Sequence, residues 1–279
     1  MIDSQSTYFL KTGCRYPMVE HQTSTLNAAG APWEMRMTDD FFDTGWQEHY
    51  KLYIFPVLFA PSTRVREKIA SLQKSGACTL FMHAPGYITE DDFSEFAMES
   101  LTGIRLKRVE LTDNTIIGEG EFAGIQWGFT NKPVPGDVTV KELHPFHVEN
   151  VTPVFAAENL DIVFGRFRET GEPACGIKFR PGGGFDAFSA CAPVPLEIVQ
   201  EIYRQAGVFF YADRPIPVYT NAGFECVYCY EGGEVTLYRP KPSVLKDCFT
   251  GEQIAVGPEG TPVMFKPHET RLFAVKSEY

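Results

Sequence analysis

Lys51-Leu-Tyr-Ile-Phe-Pro-Val-Leu-Phe59, followed by Cys78-Thr-Leu-Phe-Met82, decides the fold. Both runs are apolar nearly throughout, as strands buried on both faces of a parallel sheet are. Between them Ser62-Thr63 reads as a helix cap, and Val65, Ile69 and Leu72 stand at i, i+4 and i+7. Gly76 supplies the stop. The stretch is a strand–helix–strand unit, and the right-handed crossover rule makes its two strands parallel neighbours in one sheet.

Upstream, Val19, Leu26 and Ala29 line a helix ending near Gly30, and Trp33-Glu-Met-Arg-Met37 reads as another strand. Downstream, Thr89-x-x-Asp92 resembles a capping box ahead of Phe93, Phe96, Ala97 and Leu101 at helical spacing. The expected class is therefore α/β with a doubly wound, flavodoxin-like sheet. From about residue 105 to 180 the texture changes. Short alternating runs (105–111, 137–141, 161–167 and 175–179) read as a β-rich excursion. The strand 185–190 and a helix then return to the parallel sheet; Pro195 opens that helix, Leu196, Val199, Ile202, Tyr203 and Ala206 form its stripe, and Gly207 ends it. After Asp213-Arg-Pro-Ile-Pro217 only short strands follow: 218–220, 225–230, 235–238, 244–246, 263–266 and 271–275. Gly232-Gly233 is a hairpin signal. The expected organisation is an α/β domain over 1–212 and a small antiparallel β-sandwich over 213–279.

The chain's 279 residues suit two domains of ~150 or one large one. With 44% hydrophobic and 22% charged residues it has a real core. Twenty-five basic against thirty-six acidic side chains leave a net charge of −11, which repels polyanions and excludes nucleic acid as an expected partner. No apolar run approaches the ~20 residues that cross a bilayer, so no membrane role is expected. Met1-Ile2-Asp3-Ser4-Gln5-Ser6 lacks a basic start and apolar stretch, and the expected location is cytoplasmic.

The seven cysteines are scattered and odd in number, unlike a disulfide scaffold. Cys226 and Cys229 fall three apart on a strand, where their thiols point to opposite faces; they read as small buried hydrophobes. His144-Pro-Phe-His147 with Glu149 is a cluster of ligand-type residues, but joint metal binding would need a turn at Pro145, and the segment reads as a loop of solvated histidines. Gly182-Gly183-Gly184 leads into a strand and lacks a following Lys-Ser/Thr, so it is a flexible turn, not a phosphate loop. Neither metal nor cofactor is expected.

Glycoside hydrolysis needs two carboxyls ~5–9.5 Å apart across a sugar. The pairs Asp39-Asp40 and Asp91-Asp92 already have structural readings, one opening a loop after a strand and the other opening a helix. Ligands of open α/β sheets gather at the carboxyl ends of strands, which nominates Ser6, Tyr8, Trp46, Phe59, His83 and Tyr87 as a ligand or partner surface. Aromatic rings there suit a sugar or a protein partner; equally, they simply cover the end of the sheet.

Tyr50-Lys-Leu-Tyr-Ile-Phe-Pro56, Leu80-Phe-Met-His-Ala-Pro-Gly-Tyr-Ile88, Leu101-Thr-Gly-Ile104 and the block from Ala29 to Asp40 together resemble a known family. It is the beta-galactosidase trimerisation-like domain, a class I glutamine amidotransferase-like unit that follows the catalytic barrel in family 42 glycoside hydrolases. Asp247-Cys-Phe-Thr-Gly-Glu252 and His268-Glu-Thr-Arg-Leu-Phe273 are similar to the β-domain that closes those enzymes. The resemblance implies an assembly role, with a trimer or a glycoside hydrolase barrel as partner and a carbohydrate site walled by the unit. The barrel with its two catalytic carboxylates would lie N-terminal to these blocks.

Amidotransferases of this class hold a cysteine on the turn after a central strand, where exposure and a helix N-terminus favour the thiolate. Here that turn reads His83-Ala-Pro-Gly-Tyr87, and Cys78 lies ~16 Å of extended chain away. The family's late His-Pro-Glu has only His144-Pro145-Phe146 as a counterpart. Glutamine hydrolysis is excluded on this reading and no catalytic residue is assigned. The alternatives are a carbohydrate-active hydrolase using His83 with acidic loop residues, or a sugar-binding module with its site at the strand-end loops.

Overall fold

The computed structural model describes residues 1–9, 16–43, 50–129 and 151–277. They form two compact units: Met1–Thr25 with Met35–Ala206, and Leu26–Glu34 with Gly207–Tyr279.

The first unit is mixed α/β, built on a seven-stranded sheet of order β1-β2-β9-β8-β7-β4-β5. The strand–helix–strand unit forms as the sequence dictates. β1 (Leu52–Phe55) pairs parallel with β2 (Cys78–Met82). The connecting helix runs Thr63–Lys74 (α2, after the short α1, Gln22–Asn27). Ser62 Oγ accepts the Val65 N–H, and Val65, Ile69 and Leu72 are the buried stripe. β9 (Phe185–Ser189) then pairs parallel with β2. Beyond β1, Ile2 forms single parallel bridges to Val57 and to Met37. The expected strand 33–37 is thus reduced to one bridge, while Trp33, in the other unit, donates its indole N–H to Asn27.

The segment 105–180 is not an excursion from this sheet. β4 (Ile116–Gly118), β5 (Gln126–Trp127), β7 (Ile162–Phe167) and β8 (Pro173–Phe179) continue it with antiparallel pairings. β3 (Leu106–Val109) and β6 (Val154–Ala157) pair as a separate ribbon. The run 137–141 lies outside the described residues. The change of direction is made by Gly182-Gly183-Gly184, which closes a hairpin between β8 and β9 through Gly183 N–H to Arg180 O and Arg180 N–H to Gly184 O. Far from being loose, Gly184 sits at φ +68° with its backbone against Gly76.

Two helical readings shift. The helix after β2 spans Glu95–Thr102 (α3) and is capped by Ser94, whose Oγ accepts the Ala97 N–H. Thr89 and Asp92 close a turn of their own instead, so Asp91-Asp92 does not open the helix. Met98, Leu101 and Thr102 face inward, whereas Phe93 and Phe96 are 64% and 80% exposed. The last helix, Leu196–Gln205 (α4), buries Ile198, Val199, Ile202 and Tyr203; Ile198 joins the expected stripe, while Leu196 and Ala206 are only half-buried.

A buried carboxylate holds the unit together. Asp186, 1% exposed at the start of β9, accepts from Thr79 Oγ1 on β2 (2.6 Å), Gln73 Nε2 on α2 (2.9 Å) and Arg180 Nη1 (2.6 Å). Arg180 also donates to the Ala77 carbonyl.

The second unit is all-β. β10 (Val218–Thr220), β11 (Phe224–Cys229), β16 (Glu269–Ser277), β13 (Ser243–Asp247) and β14 (Gln253–Val256) form one antiparallel sheet, and β12 (Gly233–Leu237) with β15 (Thr261–Phe265) a second. Val227, Leu237, Leu245 and Phe273 fill its core. Gly232-Gly233 does not close a hairpin of paired strands: β11 and β12 belong to different sheets, and the glycines (φ +74° and +93°) carry the chain between them. Two ion pairs are buried here, Arg239–Glu225 and Arg271–Asp247, each at 2.8 Å.

Removing one partner of a buried ion pair strands the other, typically at ~3–5 kcal/mol. Asp186→Ala is expected to lower the stability of the chain by about that amount in urea titration, against less than ~1.5 kcal/mol for Arg105→Ala, whose salt bridges are surface-exposed. A Cβ on Gly176 would lie 2.1 Å from the Ile162 carbonyl oxygen of the neighbouring strand. Gly176→Ala is therefore expected to be destabilising in the same titration, and a neutral result would show that β7 and β8 are not paired in this register.

Candidate functional site

The carboxyl ends of β1, β2 and β9 meet at one turn. β2 ends at Met82, and His83 takes φ +62°, a left-handed conformation that costs a side-chain-bearing residue energy. Three tethers hold it. His83 N–H donates to Ser189 O (2.8 Å), Gly86 N–H to Leu58 O (2.6 Å) and Ile88 N–H to Phe59 O (2.9 Å). Arg66 on α2 adds a fourth, donating through Nη2 to Gly86 O at 2.8 Å and through Nη1 to Ala97 O at 3.1 Å.

The His83 imidazole does not face solvent. It is 6% exposed and lies edge-to-face with Phe59 (centroids 5.6 Å) and Phe129 (5.0 Å). Burial lowers its pKa from the ordinary value to about 4, opposed by a backbone hydrogen bond at Ala190, and Nδ1 has no partner. General acid–base work requires a ring within reach of substrate and a pKa near the operating pH. This ring has neither, so His83 with acidic loop residues does not make a hydrolytic site in this arrangement.

Ser6 is equally committed. Fully buried, its hydroxyl donates to Asp3 Oδ2 (2.5 Å) and accepts the Ala60 N–H (2.8 Å), while Asp3 Oδ1 accepts from Thr38 Oγ1 (2.9 Å). Phe59 is 7% exposed. Ser6, Phe59 and His83 are thus drawn together, but as packing and tethers. Tyr87 turns elsewhere: half-buried, it stacks on Phe93 (5.3 Å, 18°) and meets Phe155 edge-on (4.8 Å). Tyr8 belongs to a short 3-10 turn, Ser6–Phe9, and its side chain lies outside the described residues, as does Trp46.

Two thiols lie near the end of β9. Cys175 and Cys191 are both 0% exposed; burial pushes Cys175 up to about 12 despite a hydrogen bond with Ser189, and raises Cys191 further. Cys191 Sγ points to the Asn114 carbonyl at 3.4 Å. A nucleophilic cysteine needs a depressed pKa and access, and these have the reverse. Cys78 is buried at the opposite end of β2, and burial raises it too. On β11, Cys229 is buried and Cys226 half-buried, on opposite faces of the strand. Cys14, His144, His147 and Glu149 lie outside the described residues. Among the described residues no three His, Cys, Asp or Glu side chains gather as a metal site. Of the carboxylate pairs, Asp40 Oδ2 accepts the Met37 N–H and Asp92 Oδ1 the Phe93 N–H, both local turn bonds. No helix among the described residues is long and apolar enough to cross a membrane.

Sequence reasoning missed Phe129, the ring that shuts His83 in, and the exposure of Phe93 and Phe96. Phe129 sits 46 residues from His83 in a segment with no periodic signal. Ser94, one residue after Phe93, was the available cue that the helix begins later and turns these rings outward.

Scans against protein-family models and curated proteins give no match. Among solved structures the fold is that of part of the GH42 beta-galactosidases. The chain superposes on the beta-galactosidase of Bacillus circulans sp. alkalophilus with a TM-score of 0.59 at 15% identity, covering 93% of this chain and 37% of that one. For Gan42B, a GH42 beta-galactosidase from G. stearothermophilus, the TM-score is 0.61 at 15% identity, covering 99% and 40%. For the polyextremophilic beta-galactosidase of the Antarctic haloarchaeon Halorubrum lacusprofundi it is 0.52 at 13%, covering 94% and 35%. The chain spans well under half the length of each.

Because His83 is held neutral by burial, the unfolded chain takes up a proton first as pH falls through about 6.5. Its contribution is absent above that pH, destabilises progressively down to about 4, and is level below. In an NMR titration the His83 ring resonance is expected to stay fixed from pH 7.5 to about 5; a midpoint at the ordinary histidine value would contradict the buried environment. Thiol labelling of the native protein is expected to modify exposed Cys248 readily and to reach Cys175 and Cys191 only on unfolding.

Proposed function

We propose that the chain is a non-catalytic assembly region of a glycoside-hydrolase-related protein, an amidotransferase-like unit whose strand-end site is closed. The observation that carries this is the turn after β2: a left-handed elbow occupied by a buried, neutral histidine under Phe59 and Phe129, with the nearest thiols protonated and inaccessible. The order of parallel elements supports the doubly wound reading. The bridge at Met37, the bridge at Ile2, β1, β2 and β9 lie side by side, which in chain order is 2-1-3-4-5, the flavodoxin-like order. The likeness in fold to GH42 beta-galactosidases supports the association with glycoside hydrolysis.

Assembly needs an apolar surface whose burial contributes about 25 cal/mol per Å². Phe96 and Phe93 offer one, with Phe93 already stacked on Tyr87 and Tyr87 resting on buried Phe155. The rings form a ladder from core to surface, so an anchor there is rigid before a partner arrives. A homo-oligomer, with a trimer as the order, is the assembly this reading proposes; a hydrolase barrel is the alternative partner.

Light scattering at the highest attainable concentration is expected to give an oligomer, and Phe96→Asp with Phe93→Ser to shift it to monomer with little change in melting temperature, since both side chains are exposed. A wild-type monomer, or activity on aryl glycosides that is lost in His83→Ala, overturns the reading.

A further inference from the structure

The parallel strands have a second end. At the amino ends of β1, β2 and β9 lies an open cleft of about 480 Å³, within the ~300–1,000 Å³ of small-molecule sites. Two pairs of rings line it. Tyr50 meets Tyr53 edge-on at 5.6 Å, and Phe179 meets Phe185 edge-on at 6.3 Å. Phe179, the last residue of β8, is 44% exposed, so part of its ring is open to a ligand. Gly76 and Ala77 also line the cleft, and Lys51, Ser75 and Gln205 are its polar lining residues.

The cleft is preformed. The Ala77 carbonyl is held by Arg180, Arg180 by Asp186, and Asp186 by Gln73 on α2. Gly184 packs so closely on Gly76 that a Cβ would come within 2.5 Å of the Gly76 carbonyl oxygen. A rigid site spends little of its binding free energy on ordering.

The lining selects the ligand. Among the described lining residues Lys51 is the one charged side chain, and none of them offers a carboxylate to receive a cation. A multiply charged anion would find a single partner in a chain of net charge −11. That leaves a neutral ring with apolar faces and a polar edge, which aromatic walls and hydrogen-bonding groups hold together. We propose that this amino-end cleft is a binding site for a neutral monosaccharide-sized carbohydrate. It lies at the end of the strands opposite His83 and stands independently of the assembly reading.

The test is amide NMR of the full chain titrated with D-galactose, D-glucose and D-xylose into the millimolar range, with adenosine, a larger neutral molecule that joins an aromatic base to a ribose, for comparison. The expected result is saturable shifts at Gly76, Ala77, Gly184 and Ala206 with at least one sugar. Phe179→Ala is expected to weaken that binding about tenfold, as loss of one stacking face does. Because Phe179 is largely exposed, its variant is expected to keep the wild-type spectrum elsewhere. Lys51→Met, which removes the charge and keeps the stem, is expected to weaken the same sugar by a smaller factor. Shifts confined to the His83 end, shifts with adenosine alone, no shifts with any sugar, or binding unchanged in Phe179→Ala each overturn the proposal.

Discussion

The Asp186 carboxylate is the constraint on which the α/β unit depends. A charge that is 1% exposed is tolerable only when hydrogen-bonded and paired, and its three partners come from α2, β2 and the β8–β9 turn. The partners come from two stages of the chain: Gln73 and Thr79 from the first crossover, and Arg180 from more than 100 residues later. Misregistering β9 by one residue would turn Asp186 to the other face and abandon all three bonds. The carboxylate therefore fixes both the neighbour and the register of β9, which the apolar faces of Phe185, Ala187 and Phe188 alone would leave less specified.

That register has a consequence at the other end of the strands. With β9 fixed against β2, Ser189 O falls opposite His83 N–H and holds the left-handed turn. A non-glycine residue keeps such a conformation only where the surroundings over-determine it. Here three backbone bonds, the Arg66 fork and two aromatic edges do so. In many folds such a strained elbow presents a reactive atom; in this one the same tethers bury an imidazole. The geometry is that of a site, while the chemistry is that of a core.

The sequence displayed the first crossover almost completely. Apolar runs, a serine cap and an i, i+4, i+7 stripe all point one way, and α2 and β2 follow them closely, while β1 keeps only Leu52–Phe55 of the run 51–59 and ends ahead of Pro56. It displayed the strands of the second unit nearly as well, because short alternating strands carry their own burial pattern; β14 escaped because exposed Ala255 reads as apolar and masks the alternation in the sequence. The direction of β8 was hidden because three glycines read as slack, although two of them hold positive φ in a closed hairpin. The helix after β2 was misphased by two aromatic residues whose hydrophobicity does not report burial: Phe93 and Phe96 lie on solvent while Met98 and Leu101 carry the packing. At the candidate site, residue types were legible but solvent access was not. Ser6, Phe59 and His83 do converge, yet what closes over them includes Phe129, distant in sequence.

The same logic applies at the place where doubly wound sheets usually bind ligands. In an open parallel sheet a ligand crevice forms at the switch point, where the neighbouring connections depart to opposite faces. On the proposed doubly wound reading, that point lies between the Ile2 bridge and β1. There the chain after Ile2 does not splay away from the chain after β1. Asp3 N–H donates to Val57 O, Ser6 Oγ accepts the Ala60 N–H, and Asp3 gathers Ser6 and Thr38 into one buried network. Among the described residues, the Asp3 carboxylate and the Ser6 hydroxyl are already satisfied by the protein there. Opening the crevice would strand the Asp3 carboxylate and the Ser6 hydroxyl together, at a cost of several hydrogen bonds in a dry environment. These bonds belong to the backbone connection itself, and a substitution at His83 alone would leave them in place.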